Sequence, residues 1–182
     1  MMIVIAFLVG GVTWTLTEYV LHRGWGHRGG SKNPFTVEHL AHHSDVSYFA
    51  PGYKKATAAV IVGVIVGPVL YRVAGAVGVA AMIGFGLTYG GYEVIHRLLH
   101  VTPGRTRYGR WARRHHLYHH YRRPKMNHGV TSPVWDWIFG TLEVPAVVRV
   151  PRRNALDWML DEDGELRDEF ADEYVLVGRK PQ

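Results

Sequence analysis

Apolar residues dominate two stretches of this chain, residues 1–12 and residues 56–95, and polar residues gather at their ends. The first run starts at Met1 and continues, with interruptions, to Val20 or Leu21. About twenty residues of helix cross a hydrocarbon core of about 30 Å, so this run predicts a membrane-spanning helix. Thr13, Thr15, Thr17 and Glu18 make its second half polar, which suits a helix that packs inside a bundle or ends at the interface. A buried core helix of a soluble protein is the other reading of the same pattern. The run lacks the basic segment and small-residue cleavage site of a signal peptide and is expected to be retained.

The second run carries Arg72 as its one charge before Glu93. It is too long for one span and right for two, which predicts a transmembrane hairpin turning near Tyr71-Arg72. Pro68 and glycines such as Gly78, Gly84, Gly90 and Gly91 are poor choices for a soluble helix, whereas small residues let membrane helices approach closely. The expected fold class is therefore an all-α integral membrane protein with three to four transmembrane helices. A membrane domain over residues 1–150 is expected to be followed by an acidic tail, 151–182.

Charge orients this arrangement. Twelve of the twenty-one Lys and Arg residues lie between Arg97 and Arg153, directly after the apolar hairpin, and Lys54 and Lys55 precede it. Basic residues flanking spans favour the cytoplasmic side, which places residues 22–55 and 96–182 there and the N-terminus outside. The same position favours anionic headgroups over nucleic acid as the partner of the basic patch, and no nucleic-acid partner is expected. The tail holds nine of the fifteen acidic residues, between Asp157 and Glu173. With Trp158, Leu160, Phe170 and Tyr174-Val-Leu-Val, it reads as a solvated or docking element able to fold back as a short amphipathic helix. There is no cysteine, which removes disulfides, thiolate metal sites and iron–sulfur clusters. Any electrons the protein uses must come from a partner.

The chemistry lies in the histidines. Ten of the twelve form four clusters: His22/His27, His39/His42/His43, His96/His100 and His116/His119/His120. Imidazole is the commonest protein ligand for transition metals, and ten exceed the needs of one ion, which predicts a dinuclear centre. Positions i, i+3 and i+4 share a helix face, so each of the last three clusters is expected to direct its rings into one cavity. His22 and His27 are five apart. Gly24 and Gly26 between them suggest that the helix ends near His22 and that His27 returns from a loop.

The ordered set HxxxxH, HxxHH, HxxxH, HxxHH resembles the membrane-bound fatty acid hydroxylase / sterol desaturase superfamily. The flanks strengthen the likeness: Glu18-Tyr-Val-Leu-His22-Arg, Tyr92-Glu-Val-Ile-His96-Arg-Leu-Leu-His100, and Asn127-His-Gly-Val-Thr-Ser-Pro-Val-Trp135-Asp136. The resemblance covers about residues 12–145. It implies a helical membrane fold with a cytosolic helical cap, in which the ten clustered histidines surround two iron ions, with zinc as a possible substitute. It also implies O2 as co-substrate, a membrane lipid as substrate, and an external electron donor, ferredoxin- or cytochrome b5-like, with its reductase. His115, Asn127, His128 and Asp136 are candidates for the layer behind the ligands, Asp136 as an acceptor for a ligand N–H. The implied activity is hydroxylation or desaturation of a lipid, with a fatty acyl chain favoured. A sterol or carotenoid substrate, and a non-enzymatic membrane metal-binding protein, are the alternatives.

Overall fold

The computed structural model describes residues 1–179. Residues 180–182, the end of the expected acidic tail, lie outside the described residues. The chain is mostly helical, and two helices, Met2–Gly26 and Gly52–Val101, are long and apolar enough to cross a membrane. Helix α1 (Met2–Leu21) exposes Ile3, Val4, Leu8 and Val12, while Trp14, Glu18 and Tyr19 are buried. Helix α2 (Pro34–Ser44) starts where the Asn33 side chain accepts the Phe35 N–H and proline fills the first helical position.

Helix α3 (Gly52–Val101) is a hairpin of two arms. Gly75 breaks it at φ 55° and ψ −134°, a conformation that glycine adopts without a Cβ clash. The turn thus falls a few residues after the expected Tyr71-Arg72, because polarity marks the interface whereas backbone freedom decides where the chain reverses. The contacts between the arms centre on the same place. Lys55 Nζ meets Glu93 Oε2 at 2.5 Å, and Gly78 packs on the Leu70 backbone, so the arms run antiparallel.

The second arm packs against α1 through missing side chains. A Cβ on Gly10 would lie 1.9 Å from the Ala81 carbonyl oxygen, and one on Gly84 would lie 2.0 Å from that of Phe7. Backbones can meet this closely only where one partner has no side chain. Beyond this crossing Trp14 packs on Phe85, Tyr89 and Tyr92, so α1 and the second arm run side by side toward the histidines.

Helix α4 (Arg107–Tyr121) is capped by the Thr106 hydroxyl, which accepts the Gly109 N–H at 3.0 Å. It buries His115, His116, Leu117, His119 and His120 beneath the ends of α1 and α3. The short α5 (Val134–Ile138) lies beside α1, where Trp135 Nε1 donates to Thr15 Oγ1 at 2.9 Å.

The C-terminal segment, expected as a solvated or docking element able to form a short amphipathic helix, docks, but as a small sheet and not as a helix. Strand β1 (Val148–Pro151) pairs in parallel with β2 (Tyr174–Val177), in register Val148 to Tyr174. Val148, Val150, Leu156, Trp158, Met159 and Tyr174 are buried with Val46 and Leu117 in a small core. The fold is thus mostly helical rather than wholly so, and the expected boundary at residue 150 falls inside this sheet. The physical reason is burial. Val148 and Val150 alternate inward in strand fashion, and the back of α4 supplies the apolar surface that they cover.

Candidate metal centre

The four histidine clusters sit at the ends of elements, and the fold gathers them into two groups. His22, His27, His39, His43 and His119 form one; His42, His96, His100, His116 and His120 form the other. Within each group the ligand atoms all lie within 4.8 Å of one another. These are the same ten residues singled out by spacing.

Their partition was not legible from spacing. His39 and His43 stay together while His42 joins the other group, and His116 and His120 stay together while His119 crosses over. Helix geometry explains it. Successive residues are about 100° apart, so i and i+4 are separated by only about 40°, whereas i+3 and i+4 are neighbours about 100° apart. An HxxHH box therefore presents two rings to one side and one to the other. The expectation that each cluster feeds one cavity holds for His96/His100 and is corrected for the two HxxHH boxes, each of which serves both groups.

The first pair is also built differently from the expected loop. Residues His22–Gly26 form a π-helical turn continuing α1. In an α-helix two residues five apart point about 140° away from each other; the wider π turn realigns them. The rings of His22 and His27 lie 5.3 Å apart at 25° to each other.

The inward atoms fit an ion. His27 Nε2 lies 3.0 Å from His119 Nε2 and 3.1 Å from His39 Nε2, and His119 Nε2 lies 3.2 Å from His43 Nε2. In the second group the corresponding separations are 3.1 Å for His42–His96, 2.9 Å for His100–His116 and 3.0 Å for His116–His120. Two imidazole nitrogens about 2.1 Å from a shared ion and at right angles around it stand about 3 Å apart.

The protons are directed elsewhere. His22 Nδ1 donates to the His128 carbonyl at 2.5 Å, His42 Nδ1 to that of Tyr48 at 2.6 Å, and His119 Nδ1 to that of Met126 at 2.6 Å. Each bond leaves the Nε2 lone pair facing inward. His22 Nε2 is buried with no hydrogen-bond partner, an expense that a bound cation would relieve. Burial, followed for both by a neighbouring imidazole, holds His27 down to about 4 and His43 to about 3; burial holds His42 to about 4. His39, His116, His119 and His120 are likewise lowered by burial and then by neighbouring imidazoles. At neutral pH the rings are uncharged and able to coordinate.

Behind the ligands the structure departs from the expected contact between Asp136 and a ligand imidazole. Asp136 is fully buried and accepts the N–H of His128 and of Gly129, each at 2.8 Å, and the Thr141 hydroxyl at 2.8 Å. Its carboxyl is held far below the usual range; burial opposes this, and contacts from His115, His128, Gly129 and Thr141 outweigh it. Asp136 therefore reaches His22 through the backbone of His128, by fixing the carbonyl that orients the ligand. His115 lies against Trp111, with Nε2 3.4 Å from Asp136, outside both groups. Asn127, at φ 57°, ties the Glu143 backbone to this loop through bonds of 2.7 and 2.9 Å.

Glu18 and Tyr19 have positions that spacing did not assign. Glu18 accepts the Val130 N–H at 2.5 Å and the Thr131 hydroxyl at 3.1 Å, and Tyr19 meets Thr141 at 2.9 Å. Together they bolt the 127–141 loop to the end of α1. A buried acid in an apolar run was the signal available for Glu18.

Comparison with known proteins agrees with this architecture. The sequence pattern of the family described as Fatty acid hydroxylase matches residues 7–141. The chain belongs to the fatty acid hydroxylase family. Among similar proteins, the dihydroceramide fatty acyl 2-hydroxylase FAH2 of Arabidopsis thaliana is 32% identical over 146 residues, covering 77% of this chain and 60% of that one. The ceramide very long chain fatty acid hydroxylase scs7 of Schizosaccharomyces pombe is 31% identical, covering 74% of this chain and 41% of that one. Human fatty acid 2-hydroxylase is 28% identical, covering 75% and 39%. The visible hydroxylase domain in a structure of full-length scs7p superposes with a TM-score of 0.62 at 28% identity, over 77% of this chain and 56% of that one. This fatty acid hydroxylase family member thus spans between 39% and 60% of the length of these curated relatives. The family match ends at Thr141, before the β1–β2 sheet.

Proposed function

We propose that this family member is an integral membrane hydroxylase acting on a fatty acyl chain, with two iron ions held by the ten clustered histidines. The two five-histidine groups carry this reading. Five nitrogens leave room for one further ligand on a six-coordinate ion, an open position of the kind oxygen-activating iron sites keep. The bound irons would supply the power to oxidise an unactivated C–H bond, which acid–base groups lack. In the balanced reaction one oxygen atom of O2 enters the lipid as hydroxyl and the other leaves as water, with two electrons and two protons taken up.

The chain's own residues do the rest. His22, His42 and His119 donate Nδ1–H hydrogen bonds to backbone carbonyls and keep Nε2 free for metal. Burial keeps the rings outside the spans neutral. α1 and the two arms of α3 make three membrane crossings in this reading, and their histidine-bearing ends share one side. The basic residues from Arg97 onward put that side in the cytoplasm, within reach of an external electron donor. The relatives named as 2-hydroxylases suggest oxidation at the carbon next to the acyl head.

The test is lipid profiling in a host of defined lipid content, comparing the wild type with His119→Ala, alongside the iron content of the purified proteins. A hydroxylated lipid made by the wild type and missing in the variant supports the reading. Wild-type protein that holds two irons, is supplied with donor and reductase, and makes no oxidised lipid overturns it.

A further inference from the structure

A cleft of about 1070 Å³ opens between the turn after α2, the last turns of α3 and residues 153–158 of the C-terminal segment. His43 and His100, one histidine from each group, are among its lining residues. Phe49, Val101, Leu156 and Trp158 give it an apolar wall, and Arg97 and Arg153 stand among its lining residues.

Three arginines of the described residues pair with a carboxylate, and the two of the cleft are not among them. Arg110, Arg123 and Arg152 each meet a glutamate. Arg97 instead lies over the Phe49 ring at 4.9 Å, and Arg153 donates to Asn154 Oδ1 at 3.1 Å; among the described residues neither meets a carboxylate. Two acids also line the cleft. Asp45 is turned to the Ser47 N–H and hydroxyl at 2.9 and 2.6 Å, and Asp157 is exposed without pairing to either arginine. A guanidinium presents a planar fork of donors that matches carboxylate and phosphate, and the cleft leaves two such forks unmatched.

The geometry points to an anion subsite, formed by Arg97 and Arg153, that holds the carboxylate or phosphate head of a single-chain acyl substrate in the cleft that His43 and His100 help to line. This rests on the acyl hydroxylase reading and narrows its substrate class. An acyl lipid held by its head turns the carbons nearest the head, rather than the far end of the chain, toward the two histidine groups. The C-terminal segment, outside the family match, then acts in substrate choice: Arg153 and Trp158 belong to it. A ceramide, with a neutral amide-linked head, makes no use of the two cations and is disfavoured against a free acid.

The test is equilibrium binding to the full chain, loaded with zinc and held in phosphatidylcholine nanodiscs, corrected for partition into protein-free discs. The probes are palmitate, palmitoyl lysophosphatidate, methyl palmitate and N-palmitoylsphingosine. The wild type is expected to bind an anionic probe about tenfold more tightly than methyl palmitate. Palmitate against lysophosphatidate separates the two sources of anion. Arg97→Gln and Arg153→Gln are each expected to lose most of that preference, and the double variant all of it, with methyl palmitate binding and zinc content unchanged. Arg97→Lys should retain part. An unchanged preference in the double variant, or equal losses for acid and ester, overturns the subsite. Because no turnover is needed, failure of the hydroxylase reading shows separately, as absence of product from iron-loaded wild type that still prefers the anion.

Discussion

His42 and His43 are adjacent in the chain, yet their Nε2 atoms face different partners: that of His42 lies 3.1 Å from His96 and that of His43 lies 3.2 Å from His119. One turn of α2 thus serves both histidine groups, as does one turn of α4. The two groups are coupled mechanically through these shared turns, and the His43 and His120 rings stack between them at 4.1 Å.

This separation predicts which ion each substitution affects. His43→Ala and His27→Ala should empty the same position, and His42→Ala and His96→Ala the other. Metal analysis of each purified variant is expected to give about one ion per chain instead of two. Hydroxylation should fall at least about a hundredfold in all four, since losing a positioned metal removes the chemistry and not just its efficiency. A variant that keeps both ions at full occupancy contradicts the assignment of that residue.

Asp136 offers a test of positioning through the backbone. Asp136→Ala leaves the His128 and Gly129 N–H groups and the Thr141 hydroxyl without their buried acceptor, at a cost of about 1–3 kcal/mol per unsatisfied group. The expected result is a lower melting temperature and weaker metal retention at the group containing His22, with the His96 group spared. Chelator competition followed by metal analysis separates the two. Equal loss from both groups argues for a general folding defect.

The metal-free protein should be acid-sensitive. His27 and His42 are held down to about 4 and His43 to about 3, whereas an unfolded histidine titrates near 6.5. The unfolded chain therefore binds more protons between these values. The neutral rings cost nothing above pH 6.5, and stability is lost progressively as pH falls from there toward 4 and then 3. Chemical denaturation of chelator-treated protein across this range measures it, and a flat profile rules the effect out. Bound metal should move the onset of the loss to lower pH, because protons and metal compete for the same lone pairs.

Gly84 tests the close crossing of α1 and α3 apart from the histidine groups. Gly84→Leu forces a side chain against the Phe7 backbone, where even a Cβ would lie 2.0 Å from the carbonyl oxygen. Overpacking of this kind costs about 1–3 kcal/mol or displaces the helix. Thermal unfolding in detergent should fall clearly, whereas Gly86→Leu, at a glycine with open space around it, should be tolerated. Equal effects of the two would deny the close crossing.

The chain by itself determined the apolar runs and the ten histidines, because hydropathy and helical spacing are local properties carried by residue type. It also marked a hairpin within residues 56–95, though not the reversal at Gly75, where the backbone takes a positive φ. Only the tertiary structure decided how the ten rings divide. An HxxHH box faces two ways, and which ring goes where depends on the helix it meets. The π turn at His22–Gly26 and the carbonyls of Tyr48, Met126 and His128 were equally hidden, since every residue has a carbonyl and spacing does not reveal which one receives a proton. The form that the C-terminal segment takes on docking was hidden for a related reason. Its charges are visible in sequence, but the apolar back of α4 that buries Val148, Trp158 and Tyr174 exists only once the chain has folded.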